Sequence, residues 1–239
     1  MPLARALFAF CALIGLVACD VPAPVPGPAG QTPSVQPAGP QMSPDEAARA
    51  FVSVVRTMEP VAERECRNRT RGVNCDYLIV VDDRRNQPPN AFQTRDENGR
   101  PIIAFTIGLI AQARNADELA FVMGHEAAHH ILGHIDRQQR NAAAGAVIFA
   151  GLASLTGGAG ADLESAQQIG AFVGSRSYSK EFELEADQLG TIITHRAGYN
   201  VLRGAEFFNR IPDPGNRFLG THPPNAQRMQ VVRATLNQL

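Results

Sequence analysis

NADELAFVMGHEAAHHILGHI, running from Asn115 to Ile135, is the stretch on which both fold and chemistry turn. Asn115 stands where a helix N-cap is expected, and Glu118 follows three residues later as in a capping box. From there apolar residues recur at helical spacing, so the stretch is expected to be one amphipathic helix. Inside it lies His125-Glu126-Ala127-Ala128-His129, an HExxH pattern. At about 100° per residue, His125 and His129 sit about 40° apart and one turn along, so both imidazoles can reach one metal ion. Glu126 lies about 100° round, close enough to approach a water beside that ion without ligating it. Phe121, Val122 and Leu132 fall on the same arc, which makes the metal face the buried face. His130 and His134 point about 140° and 180° away from His125 and are expected at the surface or in a second layer, not as ligands.

A catalytic zinc ion takes three protein ligands and keeps one position open. Candidates for the third lie in Ser179-Lys180-Glu181-Phe182-Glu183-Leu184-Glu185-Ala186-Asp187-Gln188-Leu189-Gly190. Glu183 and Asp187 are four apart and share a helical face. One could bind the metal while the other orients a ligand histidine. Glu181 and Glu185 compete with them, and spacing alone does not choose.

The remainder of the chain frames this centre. Its 239 residues are 44% hydrophobic and 19% charged, with a formal net charge of -1. That composition is globular and excludes collagen, coiled coil and disorder throughout. The charge balance gives no footprint for nucleic acid, which is excluded as a partner. Eight of the 17 prolines fall between Pro22 and Pro44, so the N-terminal region has a different character from the rest.

Residues 1–18 read as a leader: Arg5 precedes an apolar run from Ala6 to Val17, too short for a permanent membrane span. Leu16-Val17-Ala18-Cys19 resembles the lipobox of bacterial lipoproteins. That resemblance implies cleavage before Cys19 and acylation of its sulfur and new amino group, which is a stable membrane anchor. An ordinary secretory signal that contains a cysteine is the alternative. Residues 19–43 read as a lipidated cysteine and a proline-rich tether. The expected location is the bacterial cell envelope, anchored by lipid and facing the periplasm, with inner or outer membrane open.

After the leader and Cys19, two cysteines remain. In an oxidising periplasm Cys66 and Cys75 are expected to close a ten-residue disulfide loop, contributing about 2–3 kcal/mol. A metal site is the alternative, but the spacing is wrong for a zinc knuckle. The four arginines from Arg64 to Arg71 are expected on that loop, as a solvated basic segment.

The folded domain is expected over 44–239. Ser43-Pro44-Asp45-Glu46 is a helix start, followed by Ala47, Phe51, Val54, Val55 and Met58 at helical spacing. Tyr77 to Val81 and Pro101 to Ile107 read as strands, with a turn-rich span from Asn86 to Asn90 and a tight turn at Asn98-Gly99. From Asn141 to Ala161 there is no charge. This segment is expected as a buried helical hairpin broken at Gly157-Gly158, with a lid or membrane contact as the alternative.

HExxH followed about fifty residues later by S-K-x-x-E-x-E-A-D-x-x-G resembles the M48 zinc metallopeptidases of the gluzincin class. Pro89-Asn90-Ala91-Phe92, Gly108-Leu109-Ile110, Glu118-Leu119-Ala120 and Thr221-His222-Pro223-Pro224 with Arg228 follow the same family order. The similarity covers Ala47 to Gln238, with Lys180 departing from the usual arginine. It implies an α+β, mostly α, gluzincin-type domain whose small β-sheet is packed by the HExxH helix. It also implies Zn2+ on His125, His129 and Glu183, Glu126 as general base and Asp187 in the catalytic machinery. By the same resemblance His222 is expected either as a fourth ligand in a self-inhibited state or as a residue that only shapes the loop or contacts substrate.

The expected activity is zinc-dependent endopeptidase cleavage of unfolded or misfolded cell-envelope proteins. The peptide is expected to pair with an edge strand near Ile102 to Thr106. The rival is a zinc-bound, chaperone-like or self-inhibited lipoprotein with little proteolysis. No tetratricopeptide array follows the domain, so an adaptor protein is expected to be a separate chain.

Overall fold

Ser43 starts the first helix, α1 (Pro44–Arg69): its hydroxyl accepts from the Glu46 backbone N–H, and Glu46 accepts from the Ser43 N–H. The computed structural model describes residues 41–177, 179–213, 215 and 222–239. The leader 1–18, Cys19, the tether as far as residue 40, and Thr221 lie outside the described residues. α1 continues past Pro60, well beyond Met58. Its buried stripe explains this, because Met58, Val61, Ala62, Glu65 and Cys66 keep one face against the core through the proline. Arg64, Arg67 and Arg69 therefore stand on the helix, and only Arg71 falls on the loop where all four were expected. In that loop Cys66 and Cys75 are joined sulfur to sulfur, with Cα atoms 5.7 Å apart.

The sheet has three strands in the order β1 (Leu78–Asp82), β3 (Pro101–Thr106), β2 (Ala91–Arg95). β1 runs parallel to β3 and β2 antiparallel. β2 is the strand the sequence hides, since AFQTR carries only one large apolar residue. Asp96 closes the β2–β3 turn by accepting from the Asn98 and Arg100 backbone N–H groups, with Gly99 at φ 80. β3 is hydrogen-bonded on both sides, which corrects the expectation of an edge near Ile102 to Thr106. The edge strands are β1 and β2.

A short helix, α2 (Ile107–Gln112), leads to α3 (Ala116–Ile131), the HExxH helix. Asn115 caps α3 by accepting from the Glu118 N–H. Glu118 does not close the box but accepts from Arg114 N–H and pairs with Arg210. α3 fills the core between the sheet, α1 and α6 (Ser179–Arg196), with Leu119, Met123 and Ala127 against Met58, Tyr77, Ile103 and Ile193. α3 and α6 cross at glycine. A Cβ on Gly190 would stand 2.9 Å from the His125 backbone, and one on Gly124 would stand 2.6 Å from Thr194 Oγ1.

α4 (His134–Leu155) and α5 (Ala161–Arg176) form the expected helical hairpin, turned where Gly157 takes φ 86. The hairpin is not buried. Val147 and Leu155 are 73% and 86% exposed, and Ile148, Leu152, Ile169 and Phe172 are exposed as well. Gly145, Gly170 and Gly174 let the two backbones pack closely on each other, but little else packs on the pair, so its outer apolar faces stay exposed. Among the described residues, no helix is long and apolar enough to cross a membrane. Of the C-terminal elements, α7 (Val201–Ala205) packs on α3, and α8 (Asn225–Leu236) packs on α6 and on α7 with the 3-10 turn at Glu206–Asn209. The architecture is α+β and mostly α, with the HExxH helix against a small sheet.

Candidate metal centre

Because α3 and α6 approach so closely at Gly124 and Gly190, the donors of both helices meet. Nε2 of His125 and Nε2 of His129 are 3.0 Å apart. Glu183 straddles them, with Oε2 3.5 Å from His125 Nε2 and Oε1 3.4 Å from His129 Nε2. Among the described residues, these three form the one group whose ligating atoms all lie within 4.8 Å. Zinc bonds of about 2.0–2.1 Å at tetrahedral angles separate neighbouring donors by about 3.3 Å. Two imidazoles and a carboxylate at these spacings fit that ion.

The centre lies in an open cleft of about 650 Å³, lined also by Ala91, Phe92 and Gln93 of β2 and by Phe207, Ile211 and Pro212. Glu126 faces the same cleft. Burial, reinforced by Glu183, pushes its carboxyl up to about 7, while His125 and a hydrogen bond from the Gln93 backbone oppose the rise. Burial and the neighbouring His125 push His129 down to about 3, so that imidazole is a neutral donor. Burial also disfavours a charged His125, but Asp187 and Glu183 outweigh it and raise its pKa to about 10. Glu183 is held well below the usual carboxylate range because His125 and His222 overcome its burial.

Asp187 is fully buried and does not face the cluster of donors. Its Oδ1 accepts from His125 Nδ1 at 2.9 Å. Arg228 of α8 forks onto both Asp187 oxygens at 2.7 Å each and stacks 3.8 Å above the Phe208 ring. His222 lies outside the three-residue cluster, with Nδ1 3.1 Å from Glu183 Oε2 and its side chain 53% exposed. Glu181, one competing carboxylate, is exposed, and Glu185, the other, points to Arg137 and His134.

His130 and His134 lie in a second layer, not at the surface, and neither joins the donor cluster. His130 donates to the Asn74 carbonyl at 2.7 Å and meets the Tyr77 ring edge-on, a structural role. His134 comes within 2.8 Å of His129. Helical extrapolation misplaces it because Gly133, at φ 64, ends the helix and redirects the chain. The glycine directly before His134 was the signal available in the sequence. Arg228 had no local signal, since it reaches Asp187 from 41 residues away.

Two helices that present two histidines, a glutamate and a neighbouring half-buried glutamate to one cleft define the HExxH metallopeptidase class of fold. Residues 52–236 match the sequence profile described as Peptidase family M48, and the chain belongs to that family. A Vibrio cholerae protein provisionally named a beta-barrel assembly-enhancing protease is 28% identical over 188 residues, 73% of this chain and 39% of that protein. The beta-barrel assembly-enhancing protease of Escherichia coli O157:H7 is 29% identical over 153 residues, 55% of this chain and 30% of that protein. Its counterpart in strain K12 is 28% identical over the same length. The chain thus spans about two fifths or less of these relatives.

Proposed function

We propose that the protein is a zinc-dependent metalloendopeptidase that hydrolyses peptide bonds of unfolded or misfolded cell-envelope proteins. The observation that carries the reading is the meeting of His125, His129 and Glu183 donors beside Glu126 in an open cleft. Zinc held by these three would supply Lewis acidity toward a water and the scissile carbonyl. Glu126, poised near neutrality, accepts the proton of the attacking water and delivers it to the leaving amine. Asp187, clamped by Arg228, keeps the His125 ring in register. The outer edge of β2 lines the cleft and offers backbone groups to an extended peptide. Recognition through backbone favours unfolded chains over a side-chain sequence.

The envelope assignment rests on the leader and on acylation at Cys19, with the lipid as membrane anchor and the domain facing the periplasm. The names of the relatives, beta-barrel assembly-enhancing proteases, suit envelope polypeptides as substrates and leave room for an adaptor protein. One observation favours the second reading, a zinc-bound, self-inhibited or chaperone-like lipoprotein. His222 stands over the site against Glu183, from where it can act as a fourth ligand.

The test measures bound zinc and cleavage of an unfolded reporter protein by wild type, Glu126→Gln and His222→Ala. We expect zinc in all three, cleavage by wild type, none by Glu126→Gln, and cleavage by His222→Ala at least as fast as wild type. If wild type and His222→Ala bind zinc but cleave nothing that Glu126→Gln spares, the enzyme reading fails and the binding reading stands. If wild type binds no zinc, both fall.

A further inference from the structure

The two histidines of the HExxH pattern are supported in different ways. His125 meets a carboxylate directly, through Asp187. At His129 the partner of Nδ1 is a third imidazole, with His134 Nδ1 2.8 Å away. On the far side of that ring, His134 Nε2 lies 3.0 Å from Glu185 Oε2. Glu185 is in turn gripped by Arg137, whose Nη1 contacts Oε2 and whose Nη2 lies 3.3 Å from Oε1. Phe182 stacks on His134 with ring centroids 4.7 Å apart and planes 11° from parallel, and the Arg137 guanidinium lies 4.2 Å over the Phe182 ring. Only 5% of the His134 side chain is exposed.

The direction of this chain follows from which atoms can donate. A carboxylate only accepts, so His134 carries its proton on Nε2 and donates it to Glu185. Its Nδ1 is then a bare acceptor and takes the Nδ1–H of His129. Nε2 of His129, the atom that faces His125 and Glu183, is left with its lone pair toward the donor cluster. Gly133 makes the contact available, since an unbroken helix would carry His134 about 140° round from His129.

We propose that His134 is a positioning residue that sets the tautomer and orientation of His129, anchored by Glu185 and Arg137. The relay parallels the Asp187–Arg228 support of His125, so each ligand histidine ends on a carboxylate–arginine pair. α6 thereby carries the third donor, Glu183, and also the residues Phe182 and Glu185 that steady the second. The inference rests on the metal reading above, and the experiment separates the two.

The side-chain oxygen of asparagine occupies the position of a histidine Nδ1, whereas the end of a glutamine side chain occupies the position of Nε2. His134→Asn therefore keeps the acceptor for His129, while His134→Gln keeps only the arm toward Glu185, and His134→Leu keeps neither. Zinc affinity of the full chain is measured by competition with a chromogenic chelator, with thermal unfolding of the metal-free proteins as the folding control. We expect His134→Asn to stay within about threefold of wild type and both His134→Gln and His134→Leu to bind about 10–100-fold more weakly. The visible spectrum of the cobalt-substituted protein should change in the latter two and not in His134→Asn. Equal affinities for His134→Asn and His134→Gln would overturn the relay, even if both unfold at lower temperature than wild type. So would wild-type affinity in His134→Leu. A wild type that binds no zinc overturns the metal reading itself.

Discussion

Nδ1 of His125 donates to Oδ1 of Asp187 across 2.9 Å, deep in the protein and behind the donor cluster. Both Asp187 oxygens are also taken by Arg228, so the carboxylate cannot turn toward the cleft. Two consequences follow from one clamp: the His125 ring is fixed with Nε2 forward, and Asp187 is prevented from acting as a fourth ligand. In Asp187→Asn the negative charge behind His125 is lost and the Arg228 fork is broken. Zinc affinity should fall about 10–100-fold, read by chelator competition. Affinity within error of wild type would mean that His125 needs no support.

The crossing of α3 and α6 gives a second prediction, on stability and geometry together. In Gly190→Ala the new methyl group meets the His125 Cα and N at 2.9 Å, and these are backbone atoms that cannot swing aside. The helices must separate, at a cost of about 1–3 kcal/mol. Because Glu183 and His125 lie on opposite sides of that contact, zinc affinity should fall along with denaturant stability. A variant that is destabilised but binds zinc as tightly as wild type would show that the crossing does not set the donor spacing.

The link between the end of α1 and the start of the sheet gives a third. Cys66 and Cys75 close a short loop, and removing it in Cys66→Ser/Cys75→Ser should lower stability by about 2–3 kcal/mol, measured by denaturant unfolding. Wild type under reducing conditions should match the double variant. The loop also holds the Asn74 carbonyl that His130 contacts, so the loss should be felt at the back of α3 rather than at the donor cluster.

What could be read from the sequence was local. The cap at Asn115, the pairing of His125 with His129 on one face, and the turn at Gly157-Gly158 each depend on residues within a few positions of one another. What could not be read depends on separations that no periodicity encodes. Arg228 joins Asp187 across 41 residues, and β2 takes its identity from pairing with β3, not from its own pattern. The hairpin from α4 to α5 is exposed where burial is expected, because apolar composition reports what a segment can bury, not whether anything packs on it. The far end of α1 is likewise set by tertiary packing, since a continuous buried stripe carries the helix through Pro60 to Arg69.

Glu65 sits on that extended part of α1 and gives a prediction about pH. Its side chain is buried, which opposes ionisation, but Arg196 from α6 and Arg69 from the next turn outweigh burial and hold its pKa below the ordinary value. A carboxylate with a lowered folded-state pKa stabilises the protein above its unfolded-state pKa of about 4.3, and that contribution disappears as pH falls through the folded-state value. Glu65→Gln should therefore be less stable than wild type by about 1.5–3 kcal/mol near neutral pH, the range for hydrogen bonds to charged groups. The gap should narrow as pH drops below about 4 and close once Glu65 is protonated in the folded protein. Unfolding by denaturant over a pH series gives the gap directly. Since Arg196 ends the helix that carries Glu183, closing of the gap ties acid sensitivity to the contact between α1 and α6. A gap as large at pH 3 as at pH 7 would assign the loss to packing instead of charge.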